Sequence, residues 1–402
     1  MKYTPREVIQ FVEEEDVKFI RLAFCDVYGR PKNISINSAE LERAFEHGIA
    51  IDASAIAGFG DETNSDLFLH PDPDTLSVLP WRPEHGRVVR MYCAITYPDG
   101  RVFENDTRSI LKQAIAQAKE AGYTFYFGAE MEFYLFKLDD NGASTKIPYD
   151  HAGYMDVAPE DKGENVRREI CLTLEQMGIQ PESSHHEEGP GQNEIDFRYS
   201  DALTAADNAV TFQTVVKAVA SRNGLCADFS PKPLPDLPGS GLHINISVQG
   251  GAQTAMLCMM GGILHHIREM TAFLNPTEQS YHRLGSNKAP KYISWSGGNR
   301  SQLIRVPAAV GQYRRVELRS ADPMANPYLA FALLIYAGLD GIAHGMDLPR
   351  ASNVNLFTAG PEELAQYEML PLSLNAAKAC AAASGFIREK LPASLVDAIC
   401  KN

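Results

Sequence analysis

The chain has 402 residues, a formal charge of -14 and 45% hydrophobic residues, with an isoelectric point near 5.3. That length allows two or three domains with substantial cores. The acidic balance argues against nucleic acid or an anionic membrane as partner, so an anionic substrate needs a local arginine cluster.

In chain order, Pro5 to Glu14 reads as a short helix. Val17 to Val27 reads as a strand turning at Tyr28-Gly29, and Asn33 to Ile36 as a second strand. Ser38 to His47 predicts a helix stopped by Gly48. Ile51 to Asp66 is Gly- and Ala-rich without helical period and reads as a shaped loop, with Asp52 at its start. His70 to Asp74 reads as a turn-rich connector. Arg87 to Tyr97 reads as a strand closed by the turn Pro98-Asp99-Gly100. Residues 1–100 thus form a small α+β unit, and residues 101–402 a second, larger one.

The second unit opens with a helix from Thr107 to Ala121, capped by Asp106 or Thr107 and ended by Gly122. Phe125 to Phe136 follows as one long aromatic strand. A helix is predicted over Asn165 to Met177 from its apolar spacing and the following Gly178, and helices over Asp201 to Asn223, stopped by Gly224, and Met256 to Phe273, before Pro276. His265 and His266 read as ordinary helix residues. Pro327 to Ala337 predicts a core helix ending at Gly338, and Leu372 to Ile399 alternates short helices with turns. The seven cysteines (Cys25, Cys93, Cys171, Cys226, Cys258, Cys380, Cys400) lack metal-binding spacing and read as reduced thiols of a cytoplasmic protein. The charged N-terminus has no secretory apolar region, and no uninterrupted apolar run is long enough to span a bilayer.

Chemistry concentrates on strand faces. Strand side chains alternate, so Glu130, Glu132 and Tyr134 share one face while Met131, Phe133 and Leu135 take the other. Leu242 to Val248 places His243, Asn245 and Ser247 together. Arg315 to Arg319 groups Arg315, Glu317 and Arg319, and Asn193 to Tyr199 groups Glu194, Asp196 and Arg198. Each strand has one apolar face and one face of ligand-type or anion-binding side chains. Repeated four times, that describes a curved sheet around a polar site. Glutamates with one histidine are hard ligands suited to Mg²⁺ or Mn²⁺. A solvated polar face, or partners in salt bridges, fits the same pattern.

Longer segments carry a resemblance. GAEMEFYLF at 128–136, HHEEGPGQNEIDFRY at 185–199, PGSGLHINIS at 238–247, NPTEQSYHRL at 275–284, SGGNRSQLIRVP at 296–307 and RRVELRSADPMANPYLAF at 314–331 occur in the order seen in type I glutamine synthetases. DKGENVRREICLTLEQMG at 161–178 matches as well, so the chain resembles that family over nearly its whole length. The resemblance implies a small N-terminal β-grasp domain and a catalytic domain with an antiparallel, barrel-like sheet and surrounding helices. It implies two divalent cations, Mg²⁺ or Mn²⁺, one held by Glu132, Glu187 and Glu194 and the other by Glu130, His243 and Glu317. It places Asn245 and Ser247 against ATP. Arg283 matches the arginine that grips the α-carboxylate of glutamate, Arg319 the one near the γ-carboxylate, and Arg300 and Arg305 phosphate-binding arginines with Arg315 nearby. Asp52 matches an ammonium-binding aspartate supplied by a neighbouring subunit of a hexameric ring, usually stacked as a dodecamer.

Three positions depart from the family pattern. Lys288 stands where the flap before Ala289-Pro290 usually has a glutamate, and the flap is one residue shorter. Pro238 replaces an asparagine before Gly239-Ser240-Gly241. Ala53 and Ala55 flank Ser54 where the loop usually reads Asp-Gly-Ser-Ser. The metal and phosphate groups are kept while the acid and nitrogen regions differ. That pattern favours a ligase that joins glutamate or a related acid to an amine. Authentic glutamine synthesis from glutamate and ammonia is the alternative, and a silent ring-forming paralogue is a third reading. Phe357, near the tyrosine adenylylated in some relatives, has no hydroxyl to modify. The sequence stops before the charged C-terminal arm of relatives, which leaves ring stacking open.

Overall fold

A computed structural model describes residues 3–63, 65–82, 85–251, 254–309, 311 and 314–401. Asn64 in the Gly- and Ala-rich loop and the terminal residues Met1, Lys2 and Asn402 lie outside them. The first helix, Pro5–Glu14, is fixed by a reciprocal cap: Thr4 Oγ1 accepts the Glu7 N–H, and the Glu7 carboxylate accepts the Thr4 N–H. Its buried Val8 and Val12 close one side of a six-stranded mixed sheet. The strand order is Pro31–Asn37, Val17–Cys25, Arg87–Thr96, Asp66–Pro71, Ile49–Asp52, with Ser77–Val78 also on Arg87–Thr96.

Two expectations fail in this domain. Ile51 and Asp52 are strand residues paired with Leu67 and Asp66, and His70 lies inside a strand instead of a connector. Leu67 and Leu69 alternate with less buried neighbours, a period-two signal obscured by the Pro- and Asp-rich run beyond them.

The larger sheet has ten strands built on Thr124–Leu138. From one edge the order is Trp295–Gly297, Ile304–Val306, Val316–Leu318, Leu242–Gln249, Thr124–Leu138, Gln192–Phe197, Pro181–His186. The short strands Ser144–Pro148, Ser200–Asp201 and Leu225–Asp228 also pair with the central one. Pairing is antiparallel, as the resemblance implies, except between Trp295–Gly297 and Ile304–Val306, which run parallel.

The apolar face of this sheet buries Phe125, Phe127, Ala129, Met131 and Phe133 beneath helices. Asp106 caps Thr107–Glu120, and Asp201 caps Ala202–Arg222 through the Thr204 N–H. Phe127 stacks on Phe331 with ring centroids 4.3 Å apart. The helix that carries Phe331 does not stop at Gly338; it runs from Pro327 to His344 and ends at Gly345 in a left-handed conformation. Gly338 serves packing: a Cβ there would lie 2.9 Å from Met259. One turn on, Gly341 meets Gly262 of the helix Ala255–Leu274, where a Cβ on Gly262 would lie 2.0 Å from the Ala337 carbonyl. The helix Pro327–His344 is long and apolar enough to cross a bilayer by composition, yet 72% of it is buried within the fold.

Arg108 joins the two domains. Its guanidinium donates to both oxygens of Asp207 (2.9 and 2.9 Å) on the long helix and to Asp72 (2.9 Å) of the N-terminal domain. Tyr328 Oη donates to Asp207 at 2.7 Å.

Candidate functional site

Strand register assembles the site. His243 lies opposite Glu130 on one side of the central strand, and Asp196 opposite Glu130 on the other. Glu194 pairs with Glu132, and His185 with Glu194. Glu317 lies opposite both Asn245 and Arg305. Because cross-strand neighbours on one face are within side-chain reach, the carboxylates predicted to share a face converge. Glu130, Glu132, Glu187, Glu194 and Asp196 line a cleft of about 830 Å³ together with Arg283, Arg300, Arg305, Arg315 and Arg319.

Two groups of ligand-type atoms stand out. In the first, Glu130, His243 and Glu317 place ligand atoms within 4.8 Å of one another. His243 Nδ1 is 3.5 Å from Glu130 and 3.9 Å from Glu317. Asn245 Nδ2 donates to Glu130 at 2.7 Å, and Arg315 Nε donates to Asn245 Oδ1 at 2.9 Å. Burial opposes charge on Glu130, but His243, Asn245 and Arg315 outweigh it and hold the carboxyl down at about 2. Glu317 is nearly inaccessible and accepts from Arg305 (2.6 Å) and Arg319.

The second group is Glu187 and Glu194 with His185, whose Nε2 is 3.1 Å from Glu187 and 3.8 Å from Glu194. Glu132 sits beside Glu187. Its Oε2 accepts from the Gly241 N–H at 2.7 Å and from Gln192 at 3.3 Å. Burial raises the Glu132 carboxyl, and the charge of Glu187 raises it further. Glu194 goes furthest, pushed up to about 12 by burial and then by Glu132, Asp196, Glu130 and Glu187. Glu130, Glu194 and Asp196 form a third close group that joins the other two.

Not every expected residue is in the cleft. Asn245 and Ser247 line an adjoining cavity with Tyr126, Gly128, Tyr199, Arg314 and Arg315. Arg198 leaves the strand after a bulge and lies 3.8 Å from Glu182 on the surface. Asp52 is exposed on the N-terminal sheet, accepts from Ser54 N–H and hydroxyl (2.9 and 2.7 Å), and stands apart from its own chain's cleft. His185, Gln192 and Glu188 were missed as site residues. For His185 the signal was present, since it lies two residues before Glu187.

Lys288 points to the rim, not between the carboxylate groups. It pairs with Glu188, its side chain is 58% exposed, and its ammonium lies 5.8 Å from the Tyr154 ring centroid. Pro238 is held through its carbonyl, which accepts from Tyr134 Oη at 2.6 Å.

The residues fit divalent cations: hard oxygen donors and single histidines converge where burial and mutual repulsion push Glu132, Glu194 and Asp196 toward protonation. They also fit a charged ligand beside them, since Asp196 Oδ1, Arg305 Nε and Arg319 Nε are buried without hydrogen-bond partners among the described residues.

Carboxylates gathered for cations and edged by arginines define an enzyme of phosphoryl-transfer type, here on a small mixed-sheet domain joined to a large antiparallel one. The family profile for the glutamine synthetase catalytic domain matches residues 104–402, and that for its β-grasp domain matches residues 16–98. The chain belongs to the glutamine synthetase family and is an ATP-dependent carboxylate–amine ligase. It is 46% identical over 376 residues to a glutamine synthetase of Clostridium saccharobutylicum, covering 90% of this chain and 85% of the relative. It is 46% identical over 405 residues to one of Methanosarcina mazei, covering 96% and 90%. A solved structure described as a GmaS/ADP complex superimposes with a TM-score of 0.89 at 29% identity, covering 98% of this chain and 94% of that one. These relatives favour glutamine synthesis, the alternative in the sequence reading, over a changed nitrogen donor.

Proposed function

We propose that the protein is a glutamate–ammonia ligase, forming glutamine with conversion of ATP to ADP and phosphate. The observation that carries this reading is the in-register carboxylate face, two ligand groups edged by five arginines. Identity of 46% to two glutamine synthetases supports glutamate and ammonia as substrates. Glu132, Glu187 and Glu194 would hold one divalent cation, Mg²⁺ or Mn²⁺, and Glu130, His243 and Glu317 the other. When bound, ATP supplies the phosphoryl group that activates the γ-carboxylate, and the cations neutralise phosphate charge.

The chain's own groups do the positioning. Arg283 is buried, with its guanidinium fixed on the Ser320 carbonyl at 2.8 Å, a rigid fork for an α-carboxylate. Arg319 is ordered by Glu317 for the γ-carboxylate, while Arg300 and Arg305 face the phosphate region. Asn245 and Ser247, with Arg315, form the nucleotide side. Asp52 would complete the nitrogen site of a neighbouring copy, which requires a homo-oligomer, a hexamer or stacked dodecamer, in the cytoplasm.

A second reading, an organic amine or related acid, keeps support from Pro238. Lys288 supports it less, because Glu188 compensates its charge at the rim. The test is purified protein with ATP, Mg²⁺ or Mn²⁺ and glutamate, offered ammonium or a panel of primary amines, following phosphate release and product mass. Glutamine matching phosphate release is expected. Amide formed only from organic amines would overturn the proposal in favour of the second reading.

A further inference from the structure

Among the described residues, Lys232 is the one buried lysine, and nothing above uses it. Burying an ammonium is costly unless its donors are satisfied. Lys232 Nζ donates to the Leu237 carbonyl at 2.7 Å and to Ser286 Oγ at 3.1 Å. These acceptors belong to two different segments, and both border Arg283.

The first segment is the loop from Pro231 to Gly241. It closes on itself through the Ser240 N–H to the Pro231 carbonyl at 3.0 Å. Gly239 packs so tightly that a Cβ would lie 2.4 Å from that carbonyl and 2.9 Å from Arg283 Cγ. The loop therefore lies directly on the Arg283 stem. The second segment is the flap from Leu284 to Ala289. Its turn is closed by the Gly285 N–H to the Ala289 carbonyl at 3.0 Å, and Ser286 Oγ also donates to the Arg283 carbonyl at 2.7 Å. One ammonium thus ties together the loop beneath Arg283 and the flap that follows it.

We propose that Lys232 is a positioning residue of the acid-substrate pocket, coupling the Pro231–Gly241 loop to the Leu284–Ala289 flap around Arg283. The inference rests on the reading of Arg283 as the carboxylate grip. Lys232 also adds positive field to that corner. Burial lowers its affinity for the proton, and Arg283 lowers it further, while Asp236 opposes. An incoming carboxylate relieves the repulsion between the two cations, so the pair favours an anionic acid over a neutral analogue.

The test compares wild type, Lys232→Met, Lys232→Arg and Ser286→Ala as full-length holoenzymes with saturating ATP and Mg²⁺. Lys232→Met is expected to raise KM for glutamate about tenfold or more, with kcat and the ammonium KM within about threefold. Lys232→Arg keeps the charge and restores part of the affinity. Ser286→Ala shifts KM the same way by a smaller factor. An unchanged glutamate KM in folded Lys232→Met, or a fall in kcat alone, overturns the proposal. If Lys232→Met does not fold, Ser286→Ala decides by the same criterion. Calorimetric titration of glutamate into the Mg²⁺·ADP-loaded proteins repeats the comparison without turnover. A wild type that binds glutamate but makes no glutamine overturns the function while that titration still decides Lys232; one that does neither overturns both.

Discussion

Replacing Arg108 by methionine tests whether the two domains are locked by charge. The substitution keeps a flexible apolar stem, shorter than arginine, but removes three hydrogen bonds, two to Asp207 and one to Asp72. Arg108 and Asp207 are 5% and 12% exposed at the side chain, whereas Asp72 is 20% exposed and keeps Lys112 at 3.3 Å. Asp207 keeps only Tyr328 Oη at 2.7 Å as a side-chain donor to its carboxylate among the described residues. Leaving one member of a buried ion pair unpaired costs about 3–5 kcal/mol. Residual solvation and Lys112 limit the share from Asp72, so the expected loss is at the low end, about 3 kcal/mol. Equilibrium urea unfolding at pH 7 measures it. The double variant with Asp207→Asn should recover part of the loss, because no buried charge then stands alone. The acid limb supplies a second reading. Burial raises the Asp72 carboxyl, but Arg108 and Lys112 outweigh it and leave it depressed. Its contribution is therefore complete above the unfolded-chain value of about 4 and is lost as pH falls through the lower folded value. Arg108→Met should make that limb shallower. A loss under about 1 kcal/mol, with an unchanged acid limb, would mean the junction behaves as a solvated surface pair.

Two further outcomes follow from the site and the core. Glu132→Ala should leave one bound divalent cation in place of two and abolish nearly all phosphoryl transfer while the chain stays folded; unchanged metal content by mass spectrometry, with wild-type turnover, would refute the ligand assignment. Gly262→Ala should destabilise by about 3 kcal/mol or more, the upper end of overpacking, because the new methyl meets backbone and not a movable side chain. Thermal melting within about a degree of wild type would show that the two helices can part without loss.

Local chemistry was legible where a residue acts on its own neighbourhood. Asp106, one of two candidate caps in the sequence, does cap its helix, and the alternation from Phe125 to Phe136 correctly separated Glu130 and Glu132 from Met131 and Phe133. Boundaries failed where a residue serves a distant partner. Gly338 looks like a helix terminator, but its missing Cβ admits Met259 from another helix. Lys288 stands where the flap usually has a glutamate, but its partner Glu188 is 100 positions away and could not be read from the flap itself. The parallel edge pair could not be read either, since three-residue strands carry too little pattern to set direction. His185 was legible by spacing alone, since a residue two positions before Glu187 falls on the same face of an extended segment.

The central strand has a consequence for how this protein can fail. It is pinned from Thr124 to Met131 by Leu242–Gln249 and from Glu130 to Tyr134 by Gln192–Asp196. A slip of one residue would turn Glu130 and Glu132 into the apolar layer and Met131 and Phe133 into the cleft. The penalty for misalignment is thus charged twice, once in buried carboxylates and once in exposed aromatics. Folding acts as a proofreading step for catalysis: a chain that has packed its core has, by the same pairing, already aligned its ligands.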